Sequence, residues 1–398
     1  MMNNNSKLLF SVFFLFLFSN CQLEKNYTKG SFGADIQFLE KYIDDLTILG
    51  EGNHLVAVSP KFQGRVFTTT TKGYEGRSIG FFNKELMASE GGLRKMSKLG
   101  GESRMWFGPE VNEFSVFFPP YVERSGENMQ VSEALDTLFF QTAKINSMMS
   151  SSSNQMKIEN NYGTVFNLMA ERNISYNQKD QIEDKLKIQI PQSVDYVSFS
   201  TVTTIKSLDE RKWEKGTGLL PIWEIGCMLP SDNQWAIVPT NTAKLDTVTN
   251  YFTEQKGRVT IKDGIVFYKV DAKYLNKMGL PRENIKPIMG SYSPEYNLLN
   301  IVTYSFENDS LYVSSDWESS KNYEGDVMNI FNGEVTPSLD RNWPFFEFES
   351  FSAAKELQKS EELKHRQTVY HFEGSKDDLS LISEKVLGVH LSQLPSYN

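Results

Sequence analysis

Cysteine and histidine are scarce in this chain, and apolar runs of any length are confined to its start. Cys21 and Cys227 are the only cysteines among 398 residues. That count rules out a CxxC redox pair and a Cys/His zinc site. If Cys21 is modified, Cys227 has no partner in the chain, and core size rather than disulfides must hold the fold. There are four histidines, and none lies between His54 and His365. Lysine and arginine form no stripe, and the formal charge is -9. An acidic chain is repelled by phosphate, so nucleic acid is not an expected partner. After the N-terminus, no stretch is long and apolar enough to span a bilayer.

The N-terminal run itself is informative. Lys7 precedes an apolar run of 11 residues from Leu8 to Phe18, which ends in Phe18-Ser19-Asn20-Cys21. The run is too short for a membrane-spanning helix and suits a signal peptide. Its ending resembles a bacterial lipobox, in which the cysteine thiol is lipidated and becomes the new N-terminus. The alternative is an ordinary signal peptide with a chance cysteine. The expected division is a signal peptide over 1–20, a lipidated tether over 21–30 and a single domain over 31–398. The expected location is the bacterial cell envelope, with the membrane reached through lipid on Cys21.

Beyond the tether, Ser31 is placed to cap a helix running to about Asp44, and further helices are expected near Ser132 to Gln141 and from Asp377 to Leu387. Most of the rest predicts strands. LVAVSP, GRVFTTTT, FSVFF and DYVSFSTVTTI are β-branched and aromatic runs. Asp263-Gly264 sits at a hairpin turn, and Asn308-Asp309 is placed at a second. The serine-rich stretch Asn146 to Met156 predicts a surface loop. Many strands with few helices predict a mainly β, sandwich-like or barrel-like architecture.

The block GGESRMWFGPE, Gly100 to Glu110, resembles a family of secreted bacterial proteins that carries a GG-[DE]-x-R-[FM]-W-[LF]-GPE motif. The likeness continues in PKFQGRVFTT, TGLLPIWEIG, YVSSDWE, NYEGDVMN and FFEFESFSAA. That family has no assigned function. The resemblance implies a galactose mutarotase-like β-supersandwich with a few peripheral helices. Val111-Asn112 and Phe331-Asn332-Gly333-Glu334 depart from the family pattern. The segment FEFESFSAAKELQKSEELKHRQTVYHF is similar to the last strands of aldose 1-epimerases. There a strand of LE-x-Q type carries the catalytic glutamate, and Glu349 falls on that position. The resemblance implies a protein directed at a sugar or glycan fragment, either an isomerase or a binding module that has lost the chemistry.

Opening an aldose ring needs a base at the anomeric hydroxyl and an acid at the ring oxygen. Glu347 and Glu349 alternate on one strand face, with Phe346 and Phe348 turned to the core. The competing reading is two solvated glutamates on an open face. His365 and His371 are the remaining acid candidates. Six strand residues set them about 20 Å apart, so at most one can serve. Arg65 and Arg104 can hold hydroxyls by a planar fork, or can pair structurally with Glu102 or Glu110. Trp106 and Trp317 can stack on a sugar, whereas Trp223, inside an apolar run, is expected in the core. The expected ligand-binding set is Arg65, Glu102, Arg104, Trp106, Glu110 and Glu347. Glu318, Glu324 and Asp326 match no cation loop, and no metal or cofactor is expected.

Overall fold

The computed structural model describes residues 25–317, 321–337 and 342–396. Cys21 and Glu318 lie outside these. The first part of the chain contains α1 (Phe32–Leu39), β1 (Thr47–Glu51), β2 (His54–Ser59), β3 (Arg65–Thr70), α2 (Lys84–Ala88), β4 (Arg104–Phe107) and α3 (Glu133–Asp136). The middle contains β5 (Gln141–Ile145), β6 (Met149–Glu159), β7 (Val165–Tyr176), α4 (Lys179–Leu186), β8 (Asp195–Ser207), β9 (Ile222–Met228), β10 (Trp235–Pro239) and β11 (Thr249–Asn250). Then come β12 (Val259–Lys262), β13 (Ile265–Lys269), β14 (Lys273–Pro281), β15 (Ile288–Ser293), β16 (Leu298–Tyr304), β17 (Asp326–Glu334), β18 (Phe346–Phe351), β19 (Glu362–Glu373) and α5 (Lys376–Leu387). The protein is mainly β, as its sequence predicts.

Two large antiparallel sheets stack face to face. One has ten strands in the order β12-β13-β10-β15-β16-β19-β8-β7-β6-β5. The other has six, in the order β11-β14-β17-β18-β9-β4. A small sheet, β1-β2-β3, joins them at one side. Alternation along β18 shows how the stack is made. Phe346, Phe348 and Ser350 point one way, and the Ser350 hydroxyl meets His365 of β19 at 2.8 Å. That face is therefore turned to the ten-stranded sheet. Phe346 and Phe348 are fully buried, each burial stabilising the fold by roughly 1.5–3 kcal/mol. Glu347 and Glu349, of opposite parity, face away from the ten-stranded sheet.

On the far face of the ten-stranded sheet, Leu379 and Ile382 of α5 pack with Trp235, Ile237 and Tyr370. Ser375 caps this helix by accepting the Asp378 N–H, and Gly388, at φ 73°, ends it. The Asp263-Gly264 turn has positive φ at both residues, 52° and 74°, which suits a two-residue hairpin between β12 and β13.

Five expectations are corrected. The first helix stops at Leu39 rather than near Asp44, and the one expected to Gln141 is the single turn of α3. FSVFF is a run of turns, with Phe114, Val116 and Phe117 buried without a ladder. The serine-rich stretch is strand β6, in unbroken register with β7 from Met149↔Ser175 to Glu159↔Val165. Composition suggested a loop, but the long partner strand decides, and Ser150 and Ser152 are buried. Asn308-Asp309 does not close a hairpin, because both edges of β16 are taken by β15 and β19.

Candidate functional site

Charged side chains in mid-strand need partners, and the outward face of the six-stranded sheet supplies them as a network. Register places Arg104, Ile225, Glu349, Asn329 and Gly279 in one row across β4, β9, β18, β17 and β14. The next row carries Cys227, Glu347, Phe331 and Lys277.

Lys277 lies at the centre. Its ammonium is 2.9 Å from Glu349 Oε2 and 3.6 Å from Glu110 Oε2. It also sits 4.9 Å above the Trp223 ring and 5.5 Å from that of Tyr251. The Trp223 indole N–H donates to Glu349 at 3.1 Å. Asn329 donates to the same oxygen at 3.4 Å. Glu349 is 1% exposed, which overturns the solvated-face reading. Burial pushes its carboxyl up to about 7, with Lys277 opposing and Glu347 reinforcing the rise. Beside it, Asp326 accepts from the Tyr251 hydroxyl at 2.6 Å and from Thr249 at 3.0 Å. Burial raises Asp326 to about 6. Gly279 is needed beneath this group, since a Cβ there would collide with the Asp326 carboxylate and the Asn329 amide oxygen.

The second ion pair joins Arg104 to Glu347 at 3.1 Å. Arg104 also donates to the Ser97 carbonyl and lies over the Trp106 ring at 4.2 Å. The Cys227 thiol reaches Glu347 Oε1 at 3.0 Å, and its pKa is pushed well up, first by burial and then by that carboxylate.

The structure thus brings Glu349, Glu347, Arg104, Trp106 and Glu110 to one face. It does not bring the other expected residues there. Arg65 gives its guanidinium to the carbonyls of Gly100 and Met96, not to a carboxylate, and burial lowers it to about 9. His365 and His371 project between the sheets, on the opposite side of the six-stranded sheet from Glu349. His365 is held by Ser305 and Ser350, and burial depresses it to about 3, so it is neutral and not an acid at physiological pH. His371 is bound by Asn300 at 2.7 Å and by Glu102 at 2.6 Å. Glu102 in turn accepts from Thr69 at 2.9 Å. Glu102 therefore ties His371 of the ten-stranded sheet to Thr69 of the small sheet, and neither Glu102 nor His371 faces a ligand. Neither histidine can partner Glu349. Trp223 is buried as expected, yet its N–H serves the site. Trp317 is 43% exposed and packs edge-on against Phe118.

Sequence reasoning missed Lys277, Asn329 and Tyr251, and considered Asp326 only for a cation. A hint existed in KYLNKMGLP, where Lys277 stands in mid-strand and shares parity with Gly279 two residues on. A surface hollow of about 870 Å³ lies elsewhere, lined by Tyr121, Arg124, Asn161 and Tyr162. Its Arg124 and Asn161 side chains are already bonded to main-chain carbonyls, so the site is not placed there. Among the described residues, no cluster of His, Cys, Asp or Glu is arranged to hold a metal ion.

A ten-stranded and a six-stranded antiparallel sheet stacked in this way make a galactose mutarotase-like fold. The chain belongs to a family of unknown function, DUF6786, which it matches over residues 30–397. Among solved structures it is similar to an Escherichia coli K12 protein provisionally called an aldose 1-epimerase. The two share 7% identity with a TM-score of 0.51, over 83% of this chain and 99% of that one. A galactose mutarotase-like protein from Lactobacillus casei shares 8% identity over 82% of this chain and 99% of its own, with a TM-score of 0.46. At 7% identity the likeness to the Escherichia coli protein shows the fold alone. No functionally curated protein matches the sequence.

Proposed function

We propose that this protein binds a sugar or glycan fragment on the outward face of its six-stranded sheet. The observation that carries the reading is the Lys277–Glu349–Glu110 network, set beside Arg104–Glu347 and framed by Trp223, Trp106 and Tyr251. Carboxylates, donors and ring faces together are what a polyhydroxylated ring can use. Glu110 is the accessible member, with its side chain 20% exposed. Titration calorimetry against a sugar panel tests this. Wild type should bind at least one sugar, and Glu110→Gln should weaken that binding tenfold or more while the melting temperature moves by only a few degrees. Absence of binding across the panel would overturn the reading.

A second reading, an aldose 1-epimerase-like isomerase, is favoured by one observation. Glu349, held up to about 7, is tuned as a base for neutral pH. In that reading Glu349 takes the anomeric proton, and Asp326, raised to about 6 on the same face, is the acid in place of the histidines. The panel titrated above, followed by NMR on fresh anomers, separates catalysis from binding.

Lipidation at Cys21, and with it the envelope location, rests on the sequence alone. Metabolic palmitate labelling should mark wild type and not Cys21→Ser. Equal labelling of both rejects it.

A further inference from the structure

We propose that the ligand is a chain of linked sugars, laid across the six-stranded sheet along a row of aromatic rings. This rests on the carbohydrate reading and deepens it. Phe81 stacks on Phe345 with ring centres 4.6 Å apart. Phe345 lies 5.8 Å from Phe331, which in turn meets Trp343 at 6.3 Å and Phe252 at 6.1 Å. The row is therefore continuous. Four of its rings are half-buried, and Phe252 is 59% exposed.

The row shares its face with the charged network. Phe331 stands between Lys277 and Glu347 in register, and Phe345 precedes Glu347 by two residues. The row starts at Phe252, just past β11, whose neighbour Tyr251 donates its N–H to Lys277 of β14. It ends at Phe81, whose N–H donates to Cys227 of β9. The row runs from Phe81 through Phe345 and Phe331 to Phe252 in three ring-to-ring steps of 4.6, 5.8 and 6.1 Å. Several linked sugars span such a distance and a single sugar does not.

The chemistry selects the occupant. Sugar rings offer C–H faces to aromatics and hydroxyls to carboxylates and ammonium groups. An apolar peptide would cover the rings but offer no donor to Glu110, the member of the charged network that still reaches solvent, and would desolvate it without a partner, which is unfavourable. Phe252 adds a second signal. It has φ of 44°, a left-handed backbone that a bulky residue rarely adopts, and it holds a large ring out in solvent. Core packing does not explain a strained, exposed phenylalanine at the end of the row.

Calorimetry with gluco-, xylo- and galacto-oligosaccharides of one to six units tests this. For the sugar type that binds, affinity should rise at least tenfold from one unit to four and then level off. Phe252→Ala, at an exposed position, should keep the melting temperature and the monosaccharide affinity while losing most of that gain. Phe252→Trp should restore it. Affinity independent of chain length, or a length gain retained in Phe252→Ala, overturns this inference and leaves the carbohydrate reading standing. Binding of apolar peptides with no sugar bound at any length removes both.

Discussion

Arg172→Met is expected to destabilise the protein by roughly 3–5 kcal/mol. Arg172 on β7 and Glu224 on β9 form an ion pair between the two large sheets, both fully buried. Arg172 also donates to the Gly64 carbonyl at 3.0 Å and to Ser103 at 2.6 Å, and Thr203 donates to Glu224. Three further segments thus converge on one guanidinium–carboxylate pair. Removing the cation leaves Glu224 charged, dry and short of its main partner, the situation in which a broken buried pair costs most. Urea unfolding should show the loss as a lower midpoint with an unchanged slope. The double variant Arg172→Met/Glu224→Leu should recover much of it, because the orphaned charge is then gone. A loss below about 1 kcal/mol in the single variant would mean that Glu224 is satisfied without Arg172, contrary to the geometry.

This pair illustrates what the sequence can and cannot disclose. Arg172 stands in VFNLMAERNISY and Glu224 in PIWEIG, both strand-like. Nothing local says that they meet, since partners 52 residues apart on different sheets are set by topology. The same limit explains the histidines. Parity along β19 correctly groups His365 and His371, but parity cannot tell an inward face from an outward one. The structure turns both toward the core. Glu347 and Glu349 were legible as one face because Phe346 and Phe348 mark the other. Their burial was not legible, because it comes from Lys277, Arg104 and the rings above them. The serine run of β6 failed for the opposite reason. Its composition is polar, and only an eleven-residue ladder with β7 makes it a strand. The fold class needed less, since β-rich patterning and the GGESRMWFGPE block already pointed to it.

Lys277→Met should be the most damaging change at the site, and its effect should depend on pH in a definite direction. In the wild type, burial raises Glu349 to about 7, while Lys277 holds it below where burial alone would put it. A carboxyl raised above its unfolded value contributes most to stability below that unfolded value, about 4.3. The contribution is then lost as pH climbs to the folded pKa. In wild type the loss ends near pH 7, where Glu349 ionises against Lys277. Without Lys277 the folded pKa rises further, so the variant goes on losing stability above pH 7 while the wild type levels off. Glu110 loses its 3.6 Å partner at the same time. The expected outcome is a deficit of a few kcal/mol at pH 7 that widens by about 1.4 kcal/mol for each further pH unit until Glu349 ionises. Denaturant titrations of both proteins at pH 6, 7, 8 and 9 measure it. A deficit that stays constant from pH 7 to 9 would show that Glu349 does not titrate against Lys277. The base assigned to the isomerase reading would then lose its tuning, while the binding reading, which needs only the arrangement of the groups, would stand.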